Sequence, residues 1–222
     1  MSAQPPAALV VDWGGVLTTG VPEALAAWAR SEDLDVDTLR AAFGRWLGPQ
    51  ADVELANPIH LLERGELAPA EVEQMLAPLL RTTSGTPVPG AGLLSRMFAH
   101  FTHAPAMTAL VWRARQAGIA TALLSNSWGD HYPEHLWDGT FDQVVISGRV
   151  GMRKPDPEIF LHTADLLGVP PTACVFVDDV AHNVAAAVAV GMVGVLHTDY
   201  PTTAGELSVL FGRDLVGQPD VR

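Results

Sequence analysis

The sequence predicts an α/β fold: a doubly wound parallel sheet with an inserted α-helical unit. Its short apolar runs are uninterrupted rather than alternating, which is typical of parallel strands covered on both faces. From about residue 104 onward these runs alternate with helical patterns, and this alternation favours a doubly wound sheet. Between residues 18 and 102, helical patterns follow one another with no strand between them, which indicates an insert.

The first predicted strand, residues 7–11, precedes this insert, and the other strands follow it. The helical patterns of the insert read PEALAAWARSEDL, DVDTLRAAFGRWL, NPIHLLERGEL and APAEVEQMLAPLL. The later strands are predicted at residues 119–125, 142–147, 173–178 and 194–197. We therefore divide the chain into an α/β core, residues 1–17 and 103–222, and a helical insert, residues 18–102.

Two helices between the later strands carry start and stop signals. One has Pro105 near its start and Gly118 just after its end. The other begins with Asp156 as a candidate N-cap and Pro157 at the first helical position. The tail, residues 213–222, is expected to be frayed.

Composition excludes several classes of protein. With 48% hydrophobic and 17% charged residues, the chain is expected to be globular. A net charge of -12 repels polyanions, so we expect no nucleic-acid partner. The single cysteine, Cys174, excludes a disulfide framework. With neither a signal-peptide pattern nor a membrane-length apolar run, we expect a cytoplasmic monomer or homodimer with no membrane partner.

Polar side chains stand at the ends of three predicted strands. Asp12 ends the first strand, Ser125 ends the second, and Asp178 and Asp179 end the fourth. Lys154 lies in a loop just before a helix, where the following proline favours an extended backbone. Because the carboxyl ends of parallel strands form the ligand crevice of an open sheet, we expect these groups to meet in one crevice.

Three carboxylates in one small site require a counter-charge, and a divalent cation is the obvious candidate. Ligation by oxygen alone suits Mg²⁺. Lys154 would add a second positive charge, and Ser125 with nearby backbone N–H groups would add donors. Such a site would hold a phosphoryl group with its charge neutralised, and Asp12 would attack that group as a nucleophile.

Four stretches resemble the ordered motifs of the haloacid dehalogenase superfamily: VVDWGGVL, LLSNS, GMRKPDPEIF and VFVDDVAHN. The resemblance spans residues 7–17 and about 104–197, and four motifs in the right order make it specific. It implies a Rossmann-like core in which the insert is a helical cap of the C1 type. It also implies a hydrolase acting on a small phosphorylated substrate, since the dehalogenases proper use no metal and lack the paired acids.

The resemblance implies roles at the phosphoryl group. Asp12 would be the nucleophile, and Ser125 and Asn126 would bind the transferring phosphoryl group. Lys154 would pair with Asp12 and with that phosphoryl group.

It implies a metal site as well. Asp179 would ligate Mg²⁺ together with Asp12 and the backbone carbonyl of Gly14. Asp178 would support the metal shell, and Asn183 would support the loop or a metal-bound water.

Gly14 departs from the family's pattern. Most phosphatases of the family carry a second Asp here, which protonates the leaving alcohol and later activates water. This chain has D-W-G-G-V, and one branch of sugar-phosphate phosphatases is similar, with D-x-G-N-V. Because a missing general acid typically costs about 10²–10⁴-fold, we expect activated substrates, whose leaving group is an anomeric hydroxyl, a phenol or a carboxylate.

Several other residues are weaker candidates. His182 could replace the missing acid or simply be an exposed helix residue, and Trp13 could line the crevice or pack in the core. In the insert, Trp46, His60 and Arg64 could face substrate.

Two other functions stay open: a phosphate- or partner-binding protein with a vestigial site and, less favoured, a haloacid dehalogenase. A signalling receiver domain is disfavoured because its acidic pair precedes the phosphorylated Asp, and no P-loop motif is present. His131 and His135 have zinc-like spacing, but no third ligand is evident and Pro133 lies between them.

Overall fold

Five parallel strands form the sheet of the protein. The computed structural model describes residues 5–47, 57–129 and 132–216 of the chain. The strands are β1 (Ala8–Val11), β2 (Ala120–Ser125), β3 (Gln143–Ile146), β4 (Cys174–Asp178) and β5 (Val193–Leu196). Their order across the sheet is β3-β2-β1-β4-β5, and every pairing is parallel. Each strand lies within one residue of its predicted bounds, so the predicted doubly wound sheet is confirmed.

Within the described residues, every regular element of the insert is a helix. Its described helices are α1 (Val21–Ser31), α2 (Val36–Leu47), α3 (Pro58–Glu63), α4 (Pro69–Leu76) and α5 (Leu93–Phe98). Their apolar faces form a hydrophobic core of their own, in which Trp28 and Leu76 are fully buried. The four predicted helices are confirmed, whereas α5 has only six residues and was missed.

The two segments that join the insert to the sheet run side by side. Thr19 N–H donates to the Thr102 carbonyl (2.8 Å), and Ala104 N–H donates to the Leu17 carbonyl (2.8 Å). Both ends of the insert are therefore tied together at one place. The division into residues 1–17 and 103–222 on one side and 18–102 on the other stays a prediction.

In the described part of the core, five further α-helices lie beside the sheet. They are α6 (Pro105–Gln116), α7 (Ser147–Val150), α8 (Pro157–Leu166), α9 (Ala181–Ala189) and α10 (Tyr200–Phe211). Asp156 takes the N-cap position of α8 as predicted, but its side chain makes no capping hydrogen bond. Lys154 and Pro155 form a turn with a cis peptide bond between them, not the extended approach that was expected.

Burial on both faces explains the uninterrupted apolar sequence of β1. Leu9 and Val11 pack in the cluster that contains residues of α6 and α10. Ala8 and Val10 pack in the opposite cluster, with residues of α8 and α9. Leu215 is buried in the first cluster, so the expected fraying is wrong at that residue, and residues 217–222 lie outside the described part of the chain.

The register of the sheet brings three strand ends level. Val11 of β1 lies opposite Leu123 of β2 and Val177 of β4. Asp12 N–H then donates to the Val177 carbonyl (2.9 Å). The side chains that follow these strands therefore meet at one edge of the sheet.

None of the helices in the described ranges combines the length and the apolar character that crossing a bilayer requires. The expected cytoplasmic location, the monomeric or homodimeric state and the lack of a nucleic-acid partner stay predictions.

Candidate active site

Lys154 joins two of the carboxylates that the sequence singled out. Its Nζ lies 2.7 Å from Asp12 Oδ1 and 2.7 Å from Asp178 Oδ2, and its side chain is 1% exposed. Burial on its own would lower the pKa of Lys154, but the attraction of Asp12 and Asp178 outweighs burial and raises that pKa above its usual range. Lys154 is therefore a fixed positive charge beside Asp12.

Asp178 fixes the position of the Lys154 ammonium. Its side chain is fully buried at the end of β4. Val180 N–H donates to Asp178 Oδ1 (2.8 Å), and Asn183 Nδ2 and Lys154 Nζ both donate to Asp178 Oδ2 (3.1 and 2.7 Å). Both carboxylate oxygens are thus used in positioning Lys154 and the start of α9.

Three carboxylates form one acidic cluster. Oxygens of Asp12, Asp178 and Asp179 lie within 4.8 Å of one another. Burial and the negative charge of Asp178 raise the pKa of Asp12, and the positive charge of Lys154 lowers it. Burial is the largest of these effects, and the resulting pKa is about 7. Burial and the neighbouring Asp178 raise the pKa of Asp179 to about 6. If all three carboxylates ionise, the single positive charge of Lys154 compensates one of them, and two negative charges remain.

This cluster fits a hard divalent cation. Two uncompensated charges on oxygen ligands match the charge and the ligand preference of Mg²⁺. In addition, the buried Asn183 Oδ1 has no hydrogen-bond partner among the described residues. A buried acceptor of this kind needs a donor, and a metal-bound water would provide one.

Two adjacent glycines follow Asp12 and differ in the space around them. A Cβ atom on Gly14 would have no heavy atom within 4 Å, so nothing in the packing requires glycine there. A Cβ atom on Gly15 would lie 2.0 Å from Asp179 Oδ2, and Gly15 has a φ of +78°. Gly15 is therefore required by both space and backbone conformation, and Gly14 by neither.

Ser125 stands at the end of β2 and is buried. Its Oγ lies 2.9 Å from Tyr132 Oη. Burial raises the pKa of Tyr132 more than the hydrogen bond with Ser125 lowers it, and the resulting pKa is about 12. The phenol therefore stays protonated at neutral pH. The neighbouring Asn126 side chain is engaged with the Lys154 backbone, accepting from its N–H (2.8 Å) and donating to its carbonyl (2.9 Å).

A buried network connects the insert to the sheet beside this site. Glu63 Oε2 of α3 accepts from Arg153 Nε (2.7 Å), and Glu63 Oε1 accepts from Trp128 Nε1 (3.0 Å). The Glu63 and Arg153 side chains are 7% and 11% exposed. Because Arg153 precedes Lys154, this network fixes the insert directly against the lysine loop.

A cavity of about 340 Å³ lies between the insert and the sheet. Asp12, Ser125, Lys154 and Asp179 line it together, as the motif order predicts. Its volume lies within the range of small-molecule sites. The geometry therefore brings a carboxylate, a cation, an acidic cluster and a hydroxyl together around one cavity.

A family model for haloacid dehalogenase-like hydrolases matches residues 6–191 of the chain, which is most of its length. The chain belongs to the haloacid dehalogenase-like hydrolases. The fold, the order of the motifs and the family thus agree, and the predicted membership of this family is confirmed.

Curated relatives of this hydrolase include two phosphatases. It is 36% identical over 111 residues, 48% of this chain and 56% of the relative, to sesquiterpene phosphatase astK of Aspergillus oryzae. It is 39% identical over 77 residues, 35% of this chain and 37% of the relative, to fructose-1-phosphate phosphatase YqaB of Escherichia coli. A match of 28% identity covers 97% of this chain but 20% of mouse acyl-CoA dehydrogenase family member 10. The matched regions thus span a fifth to just over half of these relatives.

Solved structures of similar fold include enzymes of the same family. A mutant HAD family enzyme from Bacteroides thetaiotaomicron, in complex with magnesium and inorganic phosphate, has a TM-score of 0.63 at 20% identity, covering 87% of this chain and 94% of that one. A predicted HAD-like family hydrolase from Porphyromonas gingivalis has a TM-score of 0.59 at 19% identity, covering 92% and 98%. At these identities the likeness supports the fold alone.

The weaker candidates have different outcomes in this hydrolase. Trp13 both packs in the core and lines the cavity, so the two interpretations hold together. Trp46 and His60 line the cavity, whereas Arg64 pairs with a glutamate two residues further on, near the surface of the insert.

His135 and His182 are exposed. His182, in the first turn of α9, also lines the cavity. His135 is exposed on a short 3₁₀ helix, and His131 lies outside the described residues.

Sequence reasoning missed Glu63, Arg153, Trp128 and Tyr132. Arg153 lies inside the GMRKPDPEIF motif, next to Lys154, and Trp128 directly follows the LLSNS motif, two residues after Asn126. That proximity was the available signal. Glu63 carries no such signal, because only the packing of the insert brings it to the site.

Proposed function

We propose that this hydrolase is a Mg²⁺-dependent phosphatase that acts on a small phosphorylated metabolite through an aspartyl-phosphate on Asp12. The observation that carries the proposal is the buried Lys154 ammonium, 2.7 Å from both Asp12 and Asp178, at the edge of a cavity that also contains Asp179. Two of the relatives, a sesquiterpene phosphatase and a fructose-1-phosphate phosphatase, support hydrolysis of a phosphate ester.

The proposed reaction has two steps. In the first, a carboxylate oxygen of Asp12 attacks phosphorus, the bond from phosphorus to the ester oxygen breaks, and that oxygen leaves with the electron pair and takes a proton from water. In the second, a water molecule attacks phosphorus, loses a proton to solvent and breaks the bond to Asp12. The balance is one ester and one water consumed, and one alcohol and one phosphate released.

The phosphoryl oxygens would be held by groups already directed at the site. Lys154 Nζ supplies a positive charge, and Ser125 Oγ supplies a donor. Because the Asn126 side chain is engaged with the Lys154 backbone, we expect the backbone N–H of Asn126 to face the phosphoryl group. Tyr132, protonated beside Ser125, would fix the direction of the Ser125 hydroxyl.

Asp12, Asp179 and the backbone carbonyl of Gly14 would hold the Mg²⁺ ion. When bound, Mg²⁺ supplies positive charge that neutralises phosphoryl oxygens. Asp178 would support this arrangement through Lys154, and Asn183 would do so through a metal-bound water. The charge of the ion would also keep Asp12 and Asp179 ionised at neutral pH, against the burial that raises their pKa values.

The nature of the leaving group follows from Gly14. No carboxyl group stands at this position to protonate the departing oxygen. Activated esters, whose leaving group is acidic enough to depart without a proton, should therefore react best.

The test is phosphate release from p-nitrophenyl phosphate with Mg²⁺ or with EDTA. Wild-type protein should release phosphate only with Mg²⁺, and Asp12→Asn should lose at least about 10³-fold in rate, because no nucleophile remains. Asp165→Asn makes the same chemical change at an exposed position of α8, and it should retain activity. Release that is independent of Mg²⁺, or equal in Asp12→Asn, would contradict the proposal.

The absence of a side chain at Gly14 favours one second candidate, a phosphate-binding protein with a vestigial site. In that case Mg²⁺ and inorganic phosphate would raise the melting temperature as ligands of the folded state do, while no ester would be hydrolysed. The assay above separates the two functions.

A further inference from the structure

Aromatic side chains are concentrated on the walls of the cavity. Of the twenty described residues that line it, six are aromatic, against 7% in the whole chain. They are Trp13, Trp46, Phe98, Phe101, Trp128 and Tyr132. This enrichment of about fourfold shows that the cavity has a predominantly apolar side as well as its charged one.

Five of these rings form two neighbouring groups. Phe98 stacks on Phe101 (5.2 Å between centroids) and meets Trp128 edge-on (6.3 Å). Trp13 meets Tyr132 edge-on (5.7 Å). A second cavity of about 10 Å³ lies between the two groups and is lined by residues of both. Tyr132 also touches Ser125, so the aromatic wall begins where the phosphoryl site ends.

The charged groups on this side of the cavity are already paired. Glu63 accepts from Arg153 with one oxygen and from Trp128 with the other. Both carboxylate oxygens are therefore engaged inside the protein. A sugar hydroxyl placed against Glu63 or against the aromatic rings would have to displace one of these bonds or lose its own hydrogen bonds to water, and either change is unfavourable.

We propose that the substrate carries its phosphate on a hydrocarbon group that is free of hydroxyls, and not on a sugar. This inference rests on the proposed phosphatase function, because it assumes that the phosphoryl group lies at Asp12, Ser125 and Lys154. The charged end of the cavity holds the phosphoryl group, and the aromatic wall removes the ester group from water.

The test compares two esters that differ in one atom. In 4-propylphenyl phosphate and 4-(2-hydroxyethyl)phenyl phosphate, a terminal methyl group replaces a hydroxyl, while the number of heavy atoms is equal and the phenols are similarly acidic. We expect kcat/KM to favour the propyl ester by roughly 10- to 100-fold, the discrimination that an apolar pocket achieves between such pairs.

Variants of Phe101 test whether the wall causes the preference. Phe101→Leu keeps the surface apolar, so the ratio of the two kcat/KM values should stay high. Phe101→Gln places an amide at the same point, so the ratio should fall toward one. Val209→Ala, at a site that is 82% exposed on α10, is the remote control and should leave the ratio unchanged.

The outcomes distinguish the two proposals. Hydrolysis of both esters at equal rates, or faster hydrolysis of the hydroxyethyl ester, overturns the hydrocarbon inference and leaves the phosphatase function intact. A ratio equally high in Phe101→Leu and Phe101→Gln shows that the wall does not cause the preference, and it also overturns the inference. No phosphate release above that of Asp12→Asn from either ester overturns the phosphatase function, and this inference falls with it.

Discussion

Replacing Gly14 by aspartate should supply the proton donor that this site lacks. A Cβ atom at this position meets no heavy atom within 4 Å, and Gly14 lines the cavity. The new carboxyl group would thus enter open space beside the leaving group. Asp12 and Asp179 lie close by, and like charges raise the pKa of a buried acid, which favours the protonated form that a general acid needs.

The size of the effect should depend on the leaving group. Phenol, with a pKa of about 10, departs with little help, whereas a primary alcohol is roughly as weak an acid as water and departs poorly without a proton. General acid catalysis contributes about 10²–10⁴-fold, or about 2.7–5.4 kcal/mol at 1.36 kcal/mol per tenfold. Gly14→Asp should therefore accelerate propyl phosphate hydrolysis by part of that factor and change phenyl phosphate hydrolysis far less.

Single-turnover kinetics on a series of phosphate esters measures this directly, because product release then does not mask chemistry. In the wild type, the logarithm of the rate should fall steeply as the pKa of the leaving group rises. In Gly14→Asp, the slope should be shallower.

Two further variants serve as controls. Gly14→Ala adds a Cβ but no proton, so the steep slope should persist. Gly15→Ala should fail for another reason, since its Cβ would lie 2.0 Å from Asp179 Oδ2 at a φ of +78°. Equal wild-type rates on propyl and phenyl phosphate would show that another group, such as His182, already provides the proton. An unchanged slope in Gly14→Asp would refute the reasoning about the open space.

The remaining predictions concern the buried charges. Lys154→Met should lower the free energy of unfolding, measured by urea denaturation, by about 3–5 kcal/mol, because it leaves the buried carboxylates of Asp12 and Asp178 without the cation that pairs with both. Adding Asp178→Asn to that variant should recover part of this loss, and no recovery would count against the ion-pair argument. Without metal, the raised pKa values of Asp12 (about 7) and Asp179 (about 6), against 3.8 for an ordinary Asp, mean that the folded state binds more protons than the unfolded state between about pH 4 and 7. The melting temperature in EDTA should therefore fall as pH rises through this range, and saturating Mg²⁺ should remove most of the fall; identical pH profiles with and without Mg²⁺ would disagree with a metal at this cluster.

The sheet was predictable because its strands carry their own signal. A parallel strand that is buried on both faces must be apolar at every position, as residues 8–11 are. The level ends of the strands follow from backbone pairing, so the meeting of Asp12, Asp178 and Lys154 could be predicted from motif order alone. By contrast, α5 is too short for a periodic pattern, and α7 has only four residues.

The partners of each site residue were not predictable in the same way. Asn126 carries a side chain suited to a phosphate, yet the structure engages that side chain with the Lys154 backbone. Tyr132 comes seven residues after Ser125, and no local rule links the two. Glu63 is 90 residues from Arg153, and only the docking of the insert brings them together. Such pairs depend on tertiary packing, about which one sequence carries little information.

The charged side and the apolar side of the cavity therefore come from different parts of the chain. For this reason, substitutions on the two sides should have different effects on activity. The charged side comes from strand ends whose positions the backbone hydrogen bonds of the sheet determine, so a change of Asp12 or Lys154 alters the chemistry itself. Much of the apolar side comes from the insert and its connection, through Trp46, Phe98 and Phe101, whose positions depend on side-chain packing. Substitutions there should alter which ester is bound while the phosphoryl site keeps its geometry, provided that Glu63 stays paired with Arg153 and holds the insert against the lysine loop.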